Sequence, residues 1–285
     1  IDYTNFELLF DYVRKMRPEF IINAAGLTGS PNVDACELAR EETLAANTLL
    51  PQTVARVCAM THTPWGHVSS GCIYSGTKVL EDGRRRVEKN LNQPEFRRFL
   101  SEQPENVFGF TEWDEPNFSF RCPPCNFYSG TKVLAEVAIH GSGPCYVWRP
   151  GIPFNEREEL RNFLWRIQKY PRVYNGVHPL SHVEDFVRAC LNLWEGELPF
   201  GIYNVVNPGV VTTPQVVEMF EAIRLRSAQP VCLTWQSPPE GIVENLATRG
   251  VYAFEEPARA VRAVGHMVRY ASDMRHRIRQ VSQAG

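Results

Sequence analysis

No apolar run in this 285-residue chain approaches the ~20 residues that a membrane-spanning helix needs. The first residues, Ile1-Asp2-Tyr3-Thr4-Asn5, lack the basic-then-apolar layout of a secretory signal. A charge excess is missing too: 30 lysines and arginines stand against 32 aspartates and glutamates, so no global field draws the chain to a polyanion. The expectation is a soluble, cytoplasmic protein with neither nucleic acid nor membrane as partner. Disorder is excluded, because 44% hydrophobic against 22% charged residues can build a real core, in one large domain or two small ones. An initiator methionine is absent, which admits a chain cut from a longer product.

Eight cysteines, at 36, 58, 72, 122, 125, 145, 190 and 232, are scattered, several in apolar stretches, and most read as buried thiols in a reducing compartment. The one close pair, Cys122-Pro123-Pro124-Cys125, has the spacing of half a zinc site or a redox pair. Neither a second such pair nor a nearby histidine completes it, so it reads as a stiff loop, and no metal is expected.

Phe6 to Met16 has helical periodicity, and Phe20-Ile21-Ile22 is a short apolar run closed by Asn23-Ala24-Ala25-Gly26, which predicts helix, buried strand and loop. Glu37 to Cys58 predicts a second helix, His67 to Ile73 a second strand, Tyr128 to Ala138 a third helix, and Cys145 to Arg149 a third strand stopped by Pro150-Gly151. Short apolar strands alternating with longer helices imply crossover units and a parallel sheet, hence an α/β fold. Beyond Pro150, helices are expected at Glu159 to Tyr170 and Val183 to Trp194, and a strand at Gly201 to Val206. The polar stretch Asp82 to Asn106 carries Arg84-Arg85-Arg86 and Arg97-Arg98. At the carboxyl end of a parallel strand it would suit a lid over a diphosphate, while a solvated excursion is the simpler reading.

One seven-residue string occurs twice, as Tyr74-Ser75-Gly76-Thr77-Lys78-Val79-Leu80 and as Tyr128-Ser129-Gly130-Thr131-Lys132-Val133-Leu134. On a helix, Tyr and Lys four residues apart share a face, so the ammonium is expected to stabilise a phenolate and draw the tyrosine below its usual ~10. Such a tyrosine is a proton donor usable at neutral pH. The second copy continues with Val133, Leu134, Val137 and Ala138 at helical spacing, whereas the first runs into Glu81-Asp82-Gly83 and reads as loop. Tyr128 and Lys132 are therefore the expected pair. Ser69-Ser70 close an apolar strand, where a hydroxyl can project into the crevice and polarise a carbonyl together with the tyrosine.

A serine, a tyrosine and a lysine in that order, on an α/β chain whose first loop is Asn23-Ala24-Ala25-Gly26, resemble the extended short-chain dehydrogenase/reductases. Asn47 matches an asparagine often found in the second helix of that family. The stretches Asn23 to Asp34, Gly71-Cys72-Ile73, Asp114 to Phe118, Arg161-Asn162-Phe163 and Asn207 to Val211 narrow the resemblance, over roughly residues 1 to 220, to the nucleotide-rhamnose synthases. These are bifunctional epimerase/reductases related to dTDP-4-dehydrorhamnose reductase. The resemblance implies a Rossmann-like sheet with helices on both faces and a small substrate-binding subdomain. It implies NADPH or NADH as cofactor, with NADP preferred, a nucleotide-linked 4-keto-6-deoxysugar as substrate, and it admits a homodimer. Carried over, Ser70 polarises the C4 carbonyl, Tyr128 protonates the developing alkoxide, and Lys132 holds the nicotinamide ribose and tunes the tyrosine. Asn23, Ala24, Ala25, Gly26 and Asn47 complete the cofactor side, and Thr28, Asn32, Arg161 and Asn162 serve the substrate.

Cys72 matches a cysteine implicated in epimerisation, where a thiol could return a proton to a sugar carbon if a nearby cation keeps its pKa in range. Burial of a small side chain accounts for it equally well. Arg166 stands where the family has the partner lysine, and arginine stays protonated and cannot act as a base, so the reductase half carries over more fully than the epimerase half. Gly71 and Cys72 follow Ser70 in place of the acidic pair of the related 4,6-dehydratases, so dehydration is not expected. His182, at a helix start, reads as structural.

The family opens with a strand, a glycine-rich turn and a helix whose amino terminus holds the cofactor pyrophosphate. The given sequence has no counterpart of that unit. The expected organisation is an incomplete cofactor-binding core at 1–155, a substrate-binding portion at 156–220 and a carboxyl segment at 221–285. In the last, Gln229 to Trp235, Leu246 to Phe254 and Pro257 to Val264 resemble part of the ADP-forming acyl-CoA synthetases and read as strand, helix, strand, helix. That segment is either fused to the core or docked at its open sheet edge. Two other functions stand beside the reductase: a non-catalytic sugar-nucleotide-binding or scaffold protein, and a subunit related to acyl-CoA ligation.

Overall fold

The expected alternation of helices and short strands is present in the computed structural model, which describes residues 2–30, 32–91, 93–155, 157, 162–164, 177–209, 211–212, 232–234 and 252–254. The chain divides into two units, residues 1–154 with 178–210, and residues 155–177 with 211–285. The first unit holds a four-stranded sheet in the order β1 (Ile21–Asn23), β2 (Trp65–Val68), β6 (Cys145–Pro150), β10 (Gly201–Val205), parallel throughout. Asn23 lies opposite His67, and Val68 opposite Trp148.

Helix α1 (Phe6–Met16) begins where the Asn5 side chain accepts from Leu8 N at 3.2 Å and ends at Arg17 in the left-handed region. It is followed by α2 (Arg40–Leu44), α3 (Leu50–Thr61), α4 (Pro94–Glu102), α5 (Phe127–Ile139) and α6 (Val183–Glu195). Alternation along β6 sends Val147 to one face and Tyr146 and Trp148 to the other. Leu50, Val54 and Cys58 of α3 and Ile139 of α5 pack with Trp65 and Val147 on the first face, with Leu9 of α1 at its margin. On the second face Phe186, Cys190, Leu193 and Trp194 of α6 cover Tyr146 and Trp148. Helices thus lie on both faces of a parallel sheet. Gly66 of β2 lies against the buried Trp148 indole, where a Cβ would fall 2.1 Å from a ring carbon.

Three expectations need correction. The helix expected over Glu37 to Cys58 starts three residues later, after a 3-10 turn (Val33–Glu37), and runs unbroken from Arg40 to Thr61 as α2, a π turn (Ala45–Leu49) and α3, so Asn47 lies in the π turn. The second strand ends at Val68, and Gly71–Ile73 is a 3-10 turn capped by Ser70. The first Tyr-Ser-Gly-Thr-Lys copy is no loop: β3 (Thr77–Glu81) pairs antiparallel with β4 (Arg84–Glu88) on one side and β5 (Val107–Phe108) on the other. Asp82 and Gly83 join the hairpin with φ of 49° and 72°, the signature of a primed turn. The basic run Arg84-Arg85-Arg86 is the exposed edge strand β4, with Arg86 paired to Glu81 at 2.9 Å and Glu88 at 2.5 Å. Charge on an edge discourages strand addition.

Of the seven described cysteines, all free, Cys36, Cys58 and Cys190 are buried, Cys125 and Cys145 are half-buried, and Cys72 and Cys122 are exposed, which corrects the expectation that most are buried. No helix among the described residues is long and apolar enough to cross a membrane. β7 (Ile152–Phe154) pairs in parallel with β9 (Leu180–His182), and the two-residue strands β8 (Val177–His178) and β11 (Val211–Thr212) flank this region in sequence. In the second unit β12 (Cys232–Thr234) and β13 (Tyr252–Phe254) are parallel neighbours. The helix expected at Glu159 to Tyr170, with Arg161 and Arg166, and most of the segment beyond 220 lie outside the described residues.

Candidate active site

The candidate site forms where β2 ends and α5 begins. Ser70, just past β2, caps the following turn by accepting from Cys72 N at 3.1 Å. Asn126 caps α5 through Ser129 N at 2.8 Å, and this start sets Tyr128 and Lys132 four residues apart on one helix face. Lys132, 4% exposed, donates from Nζ to Val68 O at 2.9 Å. The Ser70 side chain lies near enough to the buried Tyr128 phenol to act on its proton. Ser129 Oγ donates to Cys72 O at 2.7 Å and ties the helix to the turn. The fold therefore brings Ser70, Cys72, Tyr128 and Lys132 together.

Electrostatics in this group are dominated by burial. Tyr128 lies above its ordinary range because burial disfavours the phenolate; charge on Cys72 adds to this, and the nearby Ser70 hydroxyl only partly offsets it. The expected depression of Tyr128 by Lys132 is thus overturned: desolvation outweighs the helix-face pairing. Burial likewise draws Lys132 down from 10.5 to about 8, with Glu136 and Cys72 opposing the shift. The Cys72 thiol is raised, first by the protein packed around it, while Ser70 and Lys132 pull it back. Cys72 is nonetheless exposed as a residue. His67, in β2, is held neutral: burial, then the Lys132 charge, take it well below 6.5. Its Nδ1 meets Asn23 Nδ2 at 3.2 Å and its Nε2 has no partner.

The residues expected on the cofactor side shape one loop. Asn23 Oδ1 accepts from Ala25 N at 3.2 Å, while Ala24 and Gly26 are exposed with little side chain to cover their backbone. Asn47 accepts from Leu27 N at 2.7 Å and donates to Leu27 O at 2.9 Å and Thr131 Oγ1 at 3.3 Å. It clamps the loop after β1 to α5, one residue from Lys132. The π turn that aims it is of the kind that recurs at functional positions. Thr28 is exposed in the same loop, and Asn32 caps the next turn through Asp34 N at 2.9 Å. In the second unit, Asn162 closes its own loop, donating to Asn155 O at 2.7 Å and Arg157 O at 2.6 Å.

The first string is arranged differently. Tyr74 precedes β3 and Lys78 lies within it, locked to Asp114 at 2.5 Å. That lysine, with Thr111 N–H, holds Asp114 down at about 2. Glu136 and Arg149, which the sequence reading did not single out, form a buried ion pair at 2.6 Å beside the site. The signal available for Glu136 was its place four residues beyond Lys132 on the same helix.

Comparison with known proteins bears on this arrangement. The family model of the RmlD substrate binding domain matches residues 1–240. A trifunctional UDP-glucose 4,6-dehydratase/UDP-4-keto-6-deoxy-D-glucose 3,5-epimerase/UDP-4-keto-L-rhamnose-reductase of Arabidopsis thaliana is 29% identical over 211 residues, covering 74% of this chain and 28% of that protein. The chain thus spans little more than a quarter of that relative's length. The UDP-rhamnose synthase from Acanthamoeba polyphaga mimivirus has a TM-score of 0.64 at 17% identity, covering 90% of this chain and 80% of that one. The dTDP-4-dehydrorhamnose reductase from Bacillus anthracis, solved in complex with NADP, scores 0.58 at 18% identity, covering 79% and 69%. These likenesses establish the α/β Rossmann-like fold.

Proposed function

This chain belongs to the RmlD substrate binding domain family, and from that premise we propose that it is an NADPH-dependent reductase of a nucleotide-linked 4-keto-6-deoxysugar. The convergence of Ser70, Tyr128 and Lys132 at the carboxyl end of β2 carries this reading. The residues fit a nicotinamide cofactor. Lys132 Nζ has three N–H groups and gives one to Val68 O, so two suit ribose hydroxyls. The loop fixed by Asn23 and Asn47 offers open backbone at Ala24 and Gly26. When bound, the cofactor would supply the hydride.

The chain's own residues handle the proton. Ser70 donates to the C4 carbonyl oxygen and polarises it. Tyr128, whose phenol is kept above its ordinary range by burial, holds its proton until alkoxide charge develops on that oxygen. An alkoxide is far more basic than a phenolate, so the transfer is downhill. Lys132 is largely an ammonium below about 8 and stabilises the phenolate that remains, so turnover falls as pH rises through that value. Cys72, exposed beside Ser70, is the group suited to returning a proton to a sugar carbon, and any epimerisation before reduction is assigned to it. Residues 1–155 serve cofactor and chemistry and 156–220 the sugar nucleotide. A cytoplasmic setting accords with seven free thiols among the described residues.

Steady-state NADPH consumption with UDP-4-keto-6-deoxyglucose and UDP-4-keto-rhamnose tests the proposal. Tyr128→Phe and Ser70→Ala are expected to lower turnover by on the order of 100-fold, and Tyr74→Phe to stay within a few-fold. Full turnover in Tyr128→Phe, or none in the unaltered chain with either sugar, overturns it.

A further inference from the structure

The first copy of the repeated string has a place in the fold that leads back to the second. The Tyr74 hydroxyl donates to Asp114 O at 2.8 Å and accepts from Arg149 Nη1 at 2.8 Å, and its ring stacks on Phe110 with centroids 4.6 Å apart. Asp114 is itself fixed by Lys78 of the same string. Arg149, in β6, donates from Nε to Glu136 Oε1 at 3.0 Å and from Nη2 to Oε2 at 2.6 Å, the two-pronged geometry that fixes a carboxylate's position as well as its charge. Ser69 Oγ also donates to Glu136 Oε1. The pair is buried, with side chains 3% and 8% exposed. Breaking such a pair leaves an uncompensated charge in the interior, so its place next to the site calls for a reason.

Glu136 lies one helical turn beyond Lys132 and two beyond Tyr128. The groups that act on the Lys132 ammonium come from three directions: Glu136 from its own helix, Cys72 from the turn after β2, and His67 from β2. His67 is neutral, and the Cys72 thiol is raised and so also neutral near pH 7. Glu136 is the one carboxylate in this set, and its effect on Lys132 is the largest that opposes burial. The Glu136–Arg149 pair therefore fixes a carboxylate one helical turn from the lysine.

We propose that Glu136 is a positioning residue that keeps Lys132 in the ammonium form, that Arg149 fixes the Glu136 carboxylate, and that Tyr74 braces Arg149 from the hairpin side. The two copies of the string then form the two ends of one chain of contacts, Lys78–Asp114–Tyr74–Arg149–Glu136, half-buried at its Lys78 end and buried at Glu136, one helical turn from Lys132. The functional weight of this clamp rests on the reading of Lys132 given above, but its test is read on the lysine itself.

The whole chain has only five lysines, at 15, 78, 89, 132 and 169, so the protein labelled with 13C at lysine Cε gives a resolvable spectrum, with Lys132 assigned through Lys132→Arg. An NMR pH titration is expected to place Lys132 near 8 in the unaltered chain. In Glu136→Gln its proton affinity should drop by about tenfold or more, as loss of a nearby opposite charge requires. Because that change strands Arg149, whose cation adds to the drop, the double variant Glu136→Gln/Arg149→Met removes the pair whole, and a smaller drop in the same direction is expected. Tyr74→Phe, which removes only a half-buried hydroxyl, should give a shift of about two- to threefold in the same direction, and it remains readable even where the Glu136 variants do not fold. The alkaline limb of the turnover profile should move with the lysine. An unmoved Lys132 titration in the folded variants overturns the clamp. Inactivity of the unaltered chain together with the expected lysine shift refutes the reductase reading and leaves the clamp standing.

Discussion

Lys132→Met separates what the active-site lysine does for chemistry from what it does to the fold. Lys132 is 4% exposed and falls from 10.5 to about 8 on folding. At about 1.4 kcal/mol per unit, its burial as an ammonium costs about 3 kcal/mol at neutral pH. Below about 8 both folded and unfolded chains hold the proton, and the full cost is present. Between about 8 and 10.5 only the unfolded chain stays protonated, so stability rises with pH, and above 10.5 the cost is gone. Methionine has a similar length and no charge, so it removes this cost. It also gives up the bond to Val68 O, worth about 1–2 kcal/mol. The variant should therefore be inactive yet more stable than the unaltered chain at pH 7 by about 1–2 kcal/mol, and less stable near pH 10.5. Paired urea unfolding curves at the two pH values measure the difference, in which titrating groups remote from Lys132 cancel. A difference that does not change with pH would refute the reasoning, as would a variant that is less stable at pH 7.

Gly66→Ala should destabilise the first unit by about 2–3 kcal/mol in urea unfolding, because its Cβ has no room against the fully buried Trp148 ring. Asn47→Ala leaves the Leu27 N–H and carbonyl without their partner, which should cost about 2–3 kcal/mol and weaken NADPH binding by fluorescence titration more than it lowers turnover. Lys78→Met should release Asp114 from about 2 toward its ordinary value. That depressed carboxylate stabilises the fold above 3.8 and loses its effect as pH falls toward 2, so the variant should lose about 1 kcal/mol at neutral pH after solvent screening and show a flatter acid limb.

The second Tyr-Ser-Gly-Thr-Lys copy was legible as a helix because Val133, Leu134, Val137 and Ala138 continue its period, and α5 runs from Phe127 to Ile139. The strand before Ser70 was legible for a similar local reason, its short apolar run. The hairpin holding the first copy was readable in principle from Asp82-Gly83, whose positive φ values are those a primed turn demands. Three arginines in a row masked it, since an edge strand tolerates charge that a central one would not. The π turn at Asn47 had no local signal: it lies where the Asn47 side chain bonds the Leu27 backbone 20 residues earlier, a tertiary contact. Glu136 and Arg149 are 13 residues apart on different elements, so their pairing and its bearing on Lys132 emerge only when α5 is laid on β6. The direction of the Tyr128 shift was misjudged because helix-face spacing shows a neighbouring charge but not the desolvation that outweighs it.

The most direct test of the central claim is isotopic. The chain is incubated with UDP-4-keto-rhamnose and NADPH carrying deuterium at the transferred position, and the sugar product is examined by mass spectrometry and NMR. The account predicts a reduced sugar bearing one deuterium at C4, with incorporation abolished in Tyr128→Phe. Recovery of the keto sugar unreduced, under conditions where both cofactor and sugar nucleotide are bound, would contradict it.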